Sequence, residues 1–300
     1  MIPLALALAA HALTACTPKG TDDPANPADA DTGADADSDA DSDTDTDSDT
    51  DNDPGFVKIR ASTFDMGSTA GQPDEGYGVF TVTLTHDYFV AATEVTQRQF
   101  VAVMGSNGAG STDCDGLGGE DCPVAGVNWS DSAAYANAVS DGAGLSECYA
   151  CTESGTSGEC DVGPSPYECD GYRLLTEAEW EGAARCGTDT KYSGSDSATG
   201  VAWTSDNSAG KTHPVGGLDP NACGIYDMSG NVWEWTQDWS AEYPADAATD
   251  PTGPSSGSVR AGRGGSWRQG ADSATVSHRD RDLPGQTGDH IGFRLARTIP

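Results

Sequence analysis

The sequence predicts an α+β domain made mostly of irregular coil, with small antiparallel sheets and a few short helices. Two observations lead to this fold class. The 300-residue chain contains 38 Gly, and few of its segments keep a helical or alternating pattern for long. Short capping motifs and short alternating runs nevertheless stand between the turn-rich stretches. The regular elements are therefore expected to be short and joined by loops.

Three short helices are predicted from their start and stop signals. Residues 96–99 have the form of a capping box, and Gly105 ends the apolar run that follows. Ser130 is predicted to cap a second helix that ends near Gly142. Residues 176–179 form another capping box ahead of a third helix.

A pair of strands is predicted in the first third of the chain. Residues 56–59 read Phe-Val-Lys-Ile, and residues 81–85 alternate between threonine and aliphatic side chains. Such patterns are typical of short strands.

The first 16 residues have the form of a bacterial lipoprotein signal peptide. An apolar run too short to span a bilayer ends in Leu13-Thr-Ala-Cys16, a pattern in which the cysteine is lipidated. No Lys or Arg precedes the run, and a buried N-terminal helix is the alternative. The prediction is a membrane anchor on Cys16, and Thr17 after it favours the outer membrane or cell surface.

Residues 17–54 are predicted to be a disordered acidic spacer. Between Asp22 and Asp53 there are 14 Asp and no Lys or Arg. These charges repel each other, and the segment cannot bury enough apolar surface to offset its chain entropy. Residues 55–300 still hold 34 acidic against 14 basic residues, a formal charge of −20. We expect one domain there, and its charge argues against nucleic acid as a partner.

Eight cysteines follow Cys16 in a chain predicted to be exported, so four disulfides are expected. Cys114 and Cys122 bracket one Gly-rich loop, and Cys186 and Cys223 are left to pair over a longer one. Four more lie in one insertion: Cys148, Cys151, Cys160 and Cys169. Their pairing is open, and zinc is the alternative, although the spacings lack the second Cys-x-x-Cys of a zinc ribbon.

Seven motifs run in order along the rest of the chain, at residues 64–68, 94–96, 123–129, 172–181, 224–235, 263–267 and 291–294. Among them are Arg-Leu-Leu-Thr-Glu-Ala-Glu-Trp, Gly-Asn-Val-Trp-Glu-Trp, Arg-Gly-Gly-Ser-Trp and Gly-Phe-Arg. With these motifs the chain resembles formylglycine-generating enzymes of the sulfatase-modifying factor family over nearly all of residues 55–297. The resemblance implies an irregular fold related to C-type lectins, in agreement with the turn-rich pattern.

The resemblance also implies a calcium loop. In the family a side-chain oxygen, two backbone carbonyls and a glutamate surround the ion, and the matching positions here are Asp227, Gly230, Val232 and Glu234. Calcium takes six to eight hard oxygen ligands, and a Gly-Asn turn lets carbonyls converge. The alternative is that the tryptophans of this motif are core and the carboxylates cap turns.

The family implied by the resemblance is one of oxidoreductases, but its copper ligands are missing here. Oxygen-dependent members hold copper(I) with two cysteines shortly after the Gly-Gly-Ser-aromatic motif, because soft thiolates suit that ion. The last cysteine of this chain is Cys223, before that motif. Copper-dependent formylglycine formation is therefore not expected. The alternative is an oxidoreductase with iron on His278 and His290, beside Asp280 and Asp289.

The competing prediction is a binding module, as in lectin-like bacterial lipoproteins with a similar C-terminal segment. Side chains suited to a peptide, glycan or protein ligand are Trp233, Ser266, Trp267, Arg268, Gln269, His278 and Arg279. Arg279 and Arg281 are predicted either to grip a carboxylate or peptide backbone, or to pair with Asp280, Asp282 or acids on the loop of Glu234. The sequence thus favours a surface lipoprotein that binds a ligand and performs no redox chemistry of its own.

Overall fold

The computed structural model describes residues 55–68, 78–106, 114, 119–152, 159–163 and 165–299. Residues from Gly55 onward group into one compact unit. The predicted signal peptide, Cys16 and the predicted acidic spacer lie outside the described residues. Within the described ranges, no helix has both the length and the apolar character needed to cross a membrane.

Three short helices begin at side-chain caps: α1 (Gln97–Met104), α2 (Trp129–Ala143) and α3 (Glu177–Arg185). Thr96 and Thr176 close capping boxes at α1 and α3, which confirms both predicted starts. The predicted cap of α2 is wrong by two residues. Asn128 accepts the backbone N–H of Asp131, and the Asp131 carboxylate accepts the N–H of Asn128, so Ser130 lies inside the helix.

Thirteen short strands occur in the described part of the chain. They are β1 (Phe56–Ile59), β2 (Ser62–Gly67), β3 (Val79–Leu84), β4 (Tyr88–Ala91), β5 (Tyr149–Cys151), β6 (Cys160–Val162), β7 (Tyr172–Arg173), β8 (Trp233–Trp239), β9 (Ala248–Thr249), β10 (Arg260–Arg263), β11 (Arg279–Asp282), β12 (Ile291–Gly292) and β13 (Ala296–Thr298). Four sheets result, with strand orders β1-β4-β13-β7, β11-β10-β8-β12, β2-β3-β9 and β5-β6. Most pairs are antiparallel, while β12 with β8 and β9 with β3 are parallel. The predicted fold class is confirmed.

The two strands predicted early in the chain both exist, but they do not pair with each other. β1 pairs with β4, whereas β3 pairs with β2 and β9. Residues 60 and 61 are not part of a strand and separate β1 from β2. The sequence of β2 has no strong alternating pattern. A pattern of alternating side chains identifies a strand but does not select its partner.

The sheet β11-β10-β8-β12 has two different faces. Its cross-strand pairs place Trp235, Gly262 and Asp280 opposite one another on one face. Since successive side chains of a strand alternate between faces, Arg263 and Arg279 lie on the other face. That second face meets α3, where both arginines form buried ion pairs.

Two large hydrophobic clusters lie on either side of this sheet. Phe100, Trp129 and Trp235 belong to the cluster beside α1 and α2. Trp180 of α3 and Val82 of β3 belong to the other. Trp233 and Trp235 are 4% and 2% exposed, so they belong to the core, as the alternative to the calcium loop expects.

All eight cysteines after Cys16 form disulfides, as predicted. The pairs are Cys114–Cys122, Cys148–Cys169, Cys151–Cys160 and Cys186–Cys223. The four cysteines of the insertion are therefore paired within it, and the zinc alternative for them is wrong.

Candidate functional site

The segment from residue 264 to residue 294 is fixed to the rest of the domain through its backbone. The N–H of Trp267 donates to the carbonyl of Asn231 at 2.8 Å, and the N–H of Trp233 donates to the carbonyl of His290 at 2.8 Å. Both bonds connect the segment to the motif at residues 224–235, which leads into β8. The path of the segment is therefore set by the scaffold.

Both ends of the segment are also held by fully buried arginines. Arg263 donates to the carboxylate of Glu181 and, at 2.8 Å, to the carbonyl of Val276. Arg294 forms a two-pronged pair with Glu234, with N–O distances of 2.7 and 2.6 Å. Removing one partner of such a buried pair leaves an uncompensated charge, so these pairs lock the segment in place.

The guanidinium of Arg279, a predicted ligand residue, is held by partners within the domain, and its role in ligand binding stays a prediction. Its guanidinium donates to Glu177 at 2.7 and 2.6 Å and to the carbonyl of Ala241 at 2.7 Å. These hydrogen bonds go to Glu177 and Ala241 rather than to Asp280 or Asp282, the partners predicted from sequence proximity. The side chains of both aspartates lie on the opposite face of β11, because they are one and three positions from Arg279 along the strand.

Four side chains of the segment form a partly exposed group, here called the Arg268 patch: Trp267, Arg268, Asp289 and His290. Arg268 Nη1 lies 3.1 Å from Asp289 Oδ1 and 3.3 Å from His290 Nδ1. His290 Nδ1 is also 3.2 Å from Asp289 Oδ1. Trp267 donates its indole N–H to the Asp289 carbonyl at 3.2 Å. An aromatic ring, a cation and an anion are therefore presented together on a fixed backbone.

The other predicted ligand residues support this patch or lie below it. Ser266 is buried and donates to the Gln269 side chain, and the N–H of Arg268 donates to Ser266 Oγ at 3.3 Å. This brace sets the turn that carries Arg268. Trp233 is buried, with its ring centroid 5.7 Å from that of His278. Trp233 is thus core rather than a contact surface.

The predicted calcium ligand Glu234 has a fully used carboxylate. One oxygen accepts from Arg294 at 2.6 Å, and the other accepts from Arg294 and from the Trp180 indole N–H, each at 2.7 Å. Among the described residues, no three His, Cys, Asp or Glu side chains are placed to hold a metal ion. These side chains as folded do not fit an ion bound through the Glu234 carboxylate, and the calcium site stays a prediction.

Two more carboxyl groups lie buried in the same region. Glu94 accepts from the backbone N–H of Val232 at 3.1 Å and from the Asn231 side chain at 2.6 Å. Burial, then the Asp227 charge, raises the pKa of Glu94 well above its ordinary value. Burial likewise raises the pKa of Asp227 to about 6. Glu94 belongs to the Glu-Val-Thr motif at residues 94–96, but the sequence carries no local signal of its contact with Asn231, 137 positions away.

No thiolate remains for copper among the described cysteines, because all eight are oxidised in pairs. The iron alternative rested on His278 and His290 with Asp280 and Asp289. His290 does contact Asp289, but His278 lies against Trp233 instead. These four side chains do not form a cluster able to hold a metal ion in the described part of the chain.

Short capped helices, small sheets and long coil segments, locked by buried arginine–glutamate pairs, define a domain with the C-type-lectin-like fold of formylglycine-generating enzymes. Residues 42–299 match the family model described as the sulfatase-modifying factor enzyme 1-like domain, and the chain belongs to that family.

Relatives and solved structures agree with this assignment. The chain is 32% identical over 245 residues to a chaperone protein LppX of Paenibacillus barcinonensis, covering 72% of this chain and 82% of that protein. It is 37% identical over 146 residues to the formylglycine-generating enzyme of Streptomyces coelicolor, covering 42% of this chain and 46% of that enzyme. The solved structure of Treponema denticola variable protein 1 is similar, with a TM-score of 0.72, 34% identity, and coverage of 81% and 95%. The chain thus spans less than half of the enzyme it matches.

Proposed function

We propose that this domain is a binding module that takes a peptide, glycan or protein ligand at the Arg268 patch. In this proposal Cys16 anchors the protein to a membrane surface, and the acidic spacer holds the domain away from it. The observation that carries the proposal is the contrast within residues 264–294. Its backbone and its buried arginines are fixed to the scaffold, while the Arg268 patch faces solvent.

The composition of the patch supports binding. Arg268 and Asp289 have side chains 54% and 44% exposed, beside the partly exposed Trp267 ring. Tryptophan and arginine dominate the binding energy of many interfaces. A fixed backbone lowers the entropy cost of binding, because little ordering is needed on contact.

The pairing of the cysteines in disulfides supports a role other than copper-dependent oxidation. Eight described cysteines stabilise loops as disulfides, and the sequence has no cysteine after Cys223. The similarity to a protein named as a chaperone and to one named as a variable protein is compatible with binding.

The test is a ligand selection followed by affinity measurement. The full chain is screened against a peptide display library and a glycan array, and the selected ligand is measured on the wild type and on Arg268→Ala. Arg98→Ala is the matched control, because Arg98 is a similarly exposed arginine, with 48% of its side chain accessible, that also pairs with an aspartate, Asp121. We expect at least tenfold weaker binding for Arg268→Ala and no change for Arg98→Ala.

Two results would overturn the proposal. One is a selected ligand that binds Arg268→Ala and the wild type equally well. The other is conversion of a Cys-x-Pro-x-Arg peptide to the aldehyde by the copper-loaded chain, which would establish the oxidoreductase alternative. The membrane anchor is tested separately, by incorporation of a labelled fatty acid that Cys16→Ala should abolish.

A further inference from the structure

A cavity of about 70 Å³, open to solvent, lies beside the first turn of α3. Apolar side chains form much of its wall, among them Met66, Phe80, Trp239, Pro251 and Pro254. Its polar lining comes from Glu177, Asp238, Glu242, Tyr243 and Arg279. None of these residues belongs to the Arg268 patch, so the cavity is a separate feature of the domain.

The charged donors of this cavity are already used. Arg279 Nε and Nη2 donate to Glu177, and Nη1 donates to the Ala241 carbonyl. The Tyr243 hydroxyl donates to Glu177 at 3.3 Å. A ligand that needs hydrogen-bond donors, such as a carboxylate or phosphate, would have to break these buried bonds.

The acceptors of the cavity are not used up. Asp238 is 4% exposed, and its Oδ2 accepts the backbone N–H of Glu177 at 2.8 Å. Its Oδ1 has no hydrogen-bond partner in the described part of the chain. The exposed carboxylate of Glu242, also on the lining, forms no ion pair with a described residue. The cavity therefore offers a ligand one buried carboxyl oxygen and one exposed carboxylate.

We propose that this cavity binds a primary ammonium group carried on an aliphatic stem. The ammonium donates to Asp238 Oδ1, and the stem lies against the apolar wall. Burying an ammonium group requires an anionic partner and hydrogen-bond acceptors, and the free oxygen of Asp238 supplies both. Burial of the stem adds roughly 25 cal/mol for each Å² of apolar surface removed from water.

The pH dependence of binding follows from the surroundings of Asp238. Burial, followed by the charge of Glu177, raises the pKa of this carboxyl to about 8. The charge of Glu179 acts in the same direction, while the Glu177 N–H and the Arg279 charge oppose it. Tyr167 and Arg260 also interact electrostatically with Asp238, and the exposed Glu242 lies on the cavity lining. Because the ammonium binds the ionised carboxyl, affinity rises up to about pH 8 and stays level until the amine loses its proton near pH ~10.

The test measures binding of small probes to the full chain by calorimetry and NMR. The probes are n-butylammonium, the uncharged n-butanol of similar shape, and N-acetyl-lysine methylamide, which presents the same ammonium as a peptide side chain. We expect butylammonium to bind at least tenfold more tightly than butanol, and at least tenfold more tightly to the wild type than to Asp238→Asn. Asp246→Asn, a change at an exposed aspartate outside the cavity lining, should bind as the wild type does.

The comparison of the two amines identifies the source of the ligand. Tighter binding of butylammonium assigns the site to a free small amine, and tighter binding of the lysine derivative assigns it to a lysine side chain. Equal binding of butanol and butylammonium, or an affinity for butylammonium that does not rise between pH 6 and 8, overturns the proposal. Both of these measurements use the wild type, so they decide the matter even if Asp238→Asn does not fold.

Discussion

Arg279 on β11 and Glu177 on α3 form a two-pronged buried ion pair, with N–O distances of 2.7 and 2.6 Å. The two residues are 102 positions apart in the chain. Their pairing connects the segment that carries the Arg268 patch to the first turn of α3. Both residues also line the cavity that contains Asp238.

Replacing Arg279 by Ala should lower the free energy of unfolding by on the order of 3 kcal/mol. The reason is that Glu177 loses its main partner while it stays buried, although Arg263 remains 3.4 Å away. Arg281→Ala is the control, because Arg281 is an exposed arginine on the same strand. That change should alter the stability by less than about 0.5 kcal/mol. Urea unfolding of the two variants and the wild type provides the values, and equal stability of both variants would contradict the ion-pair assignment.

Removing the Cys186–Cys223 disulfide should destabilise the domain more than removing Cys151–Cys160. The sequence separations are 37 and 9, and all four residues are partly exposed. Loop-closure entropy gives about 4 kcal/mol for the longer loop and about 2.7 kcal/mol for the shorter one. Thermal unfolding of the two double Cys→Ala variants tests the order, and a larger loss for Cys151–Cys160 would show that loop entropy does not control it.

A calcium chelator should leave the midpoint of thermal unfolding of the calcium-treated protein unchanged. The Glu234 carboxylate, which a calcium ion would need, already accepts from Arg294 and Trp180. Calcium that binds only the folded state would raise the midpoint as its concentration exceeds the dissociation constant. A drop with chelator that calcium restores and magnesium does not would establish the site predicted from the sequence. Arg294 would then share Glu234 with the ion.

Structural features that depend on residues close together in the sequence were predictable from it. Thr96 and Thr176 cap their helices through bonds to residues three positions ahead, and that spacing is visible in the sequence. The even number of cysteines and their grouping likewise indicated four disulfides, including Cys186–Cys223. The α2 cap was missed because Asn128 and Asp131 form a box as effective as the expected hydroxyl.

Features that depend on distant residues were not predictable. Asp280 is the neighbour of Arg279 in sequence, but strand geometry sends the two side chains to opposite faces. The partner of Arg279 is on α3, and nothing near Glu177 in the sequence indicates it. The contact of Glu94 with Asn231 joins residues 137 positions apart. The sequence therefore located the segment that carries the candidate site, whereas the role of each arginine within it required the fold.

Asp238→Asn should stabilise the domain relative to the wild type, by an amount that grows as the pH rises. Burial, followed by the Glu177 charge, raises the pKa of Asp238 from 3.8 to about 8. The folded state therefore holds this proton more tightly than the unfolded state, and the wild type loses stability as the pH rises from about 4 to about 8. Asparagine still accepts the Glu177 N–H and carries no charge to bury. Thermal midpoints of the wild type, Asp238→Asn and the exposed control Asp246→Asn at pH 5, 7 and 9 test this. Parallel curves for the wild type and Asp238→Asn would mean that Asp238 does not stay protonated near neutral pH.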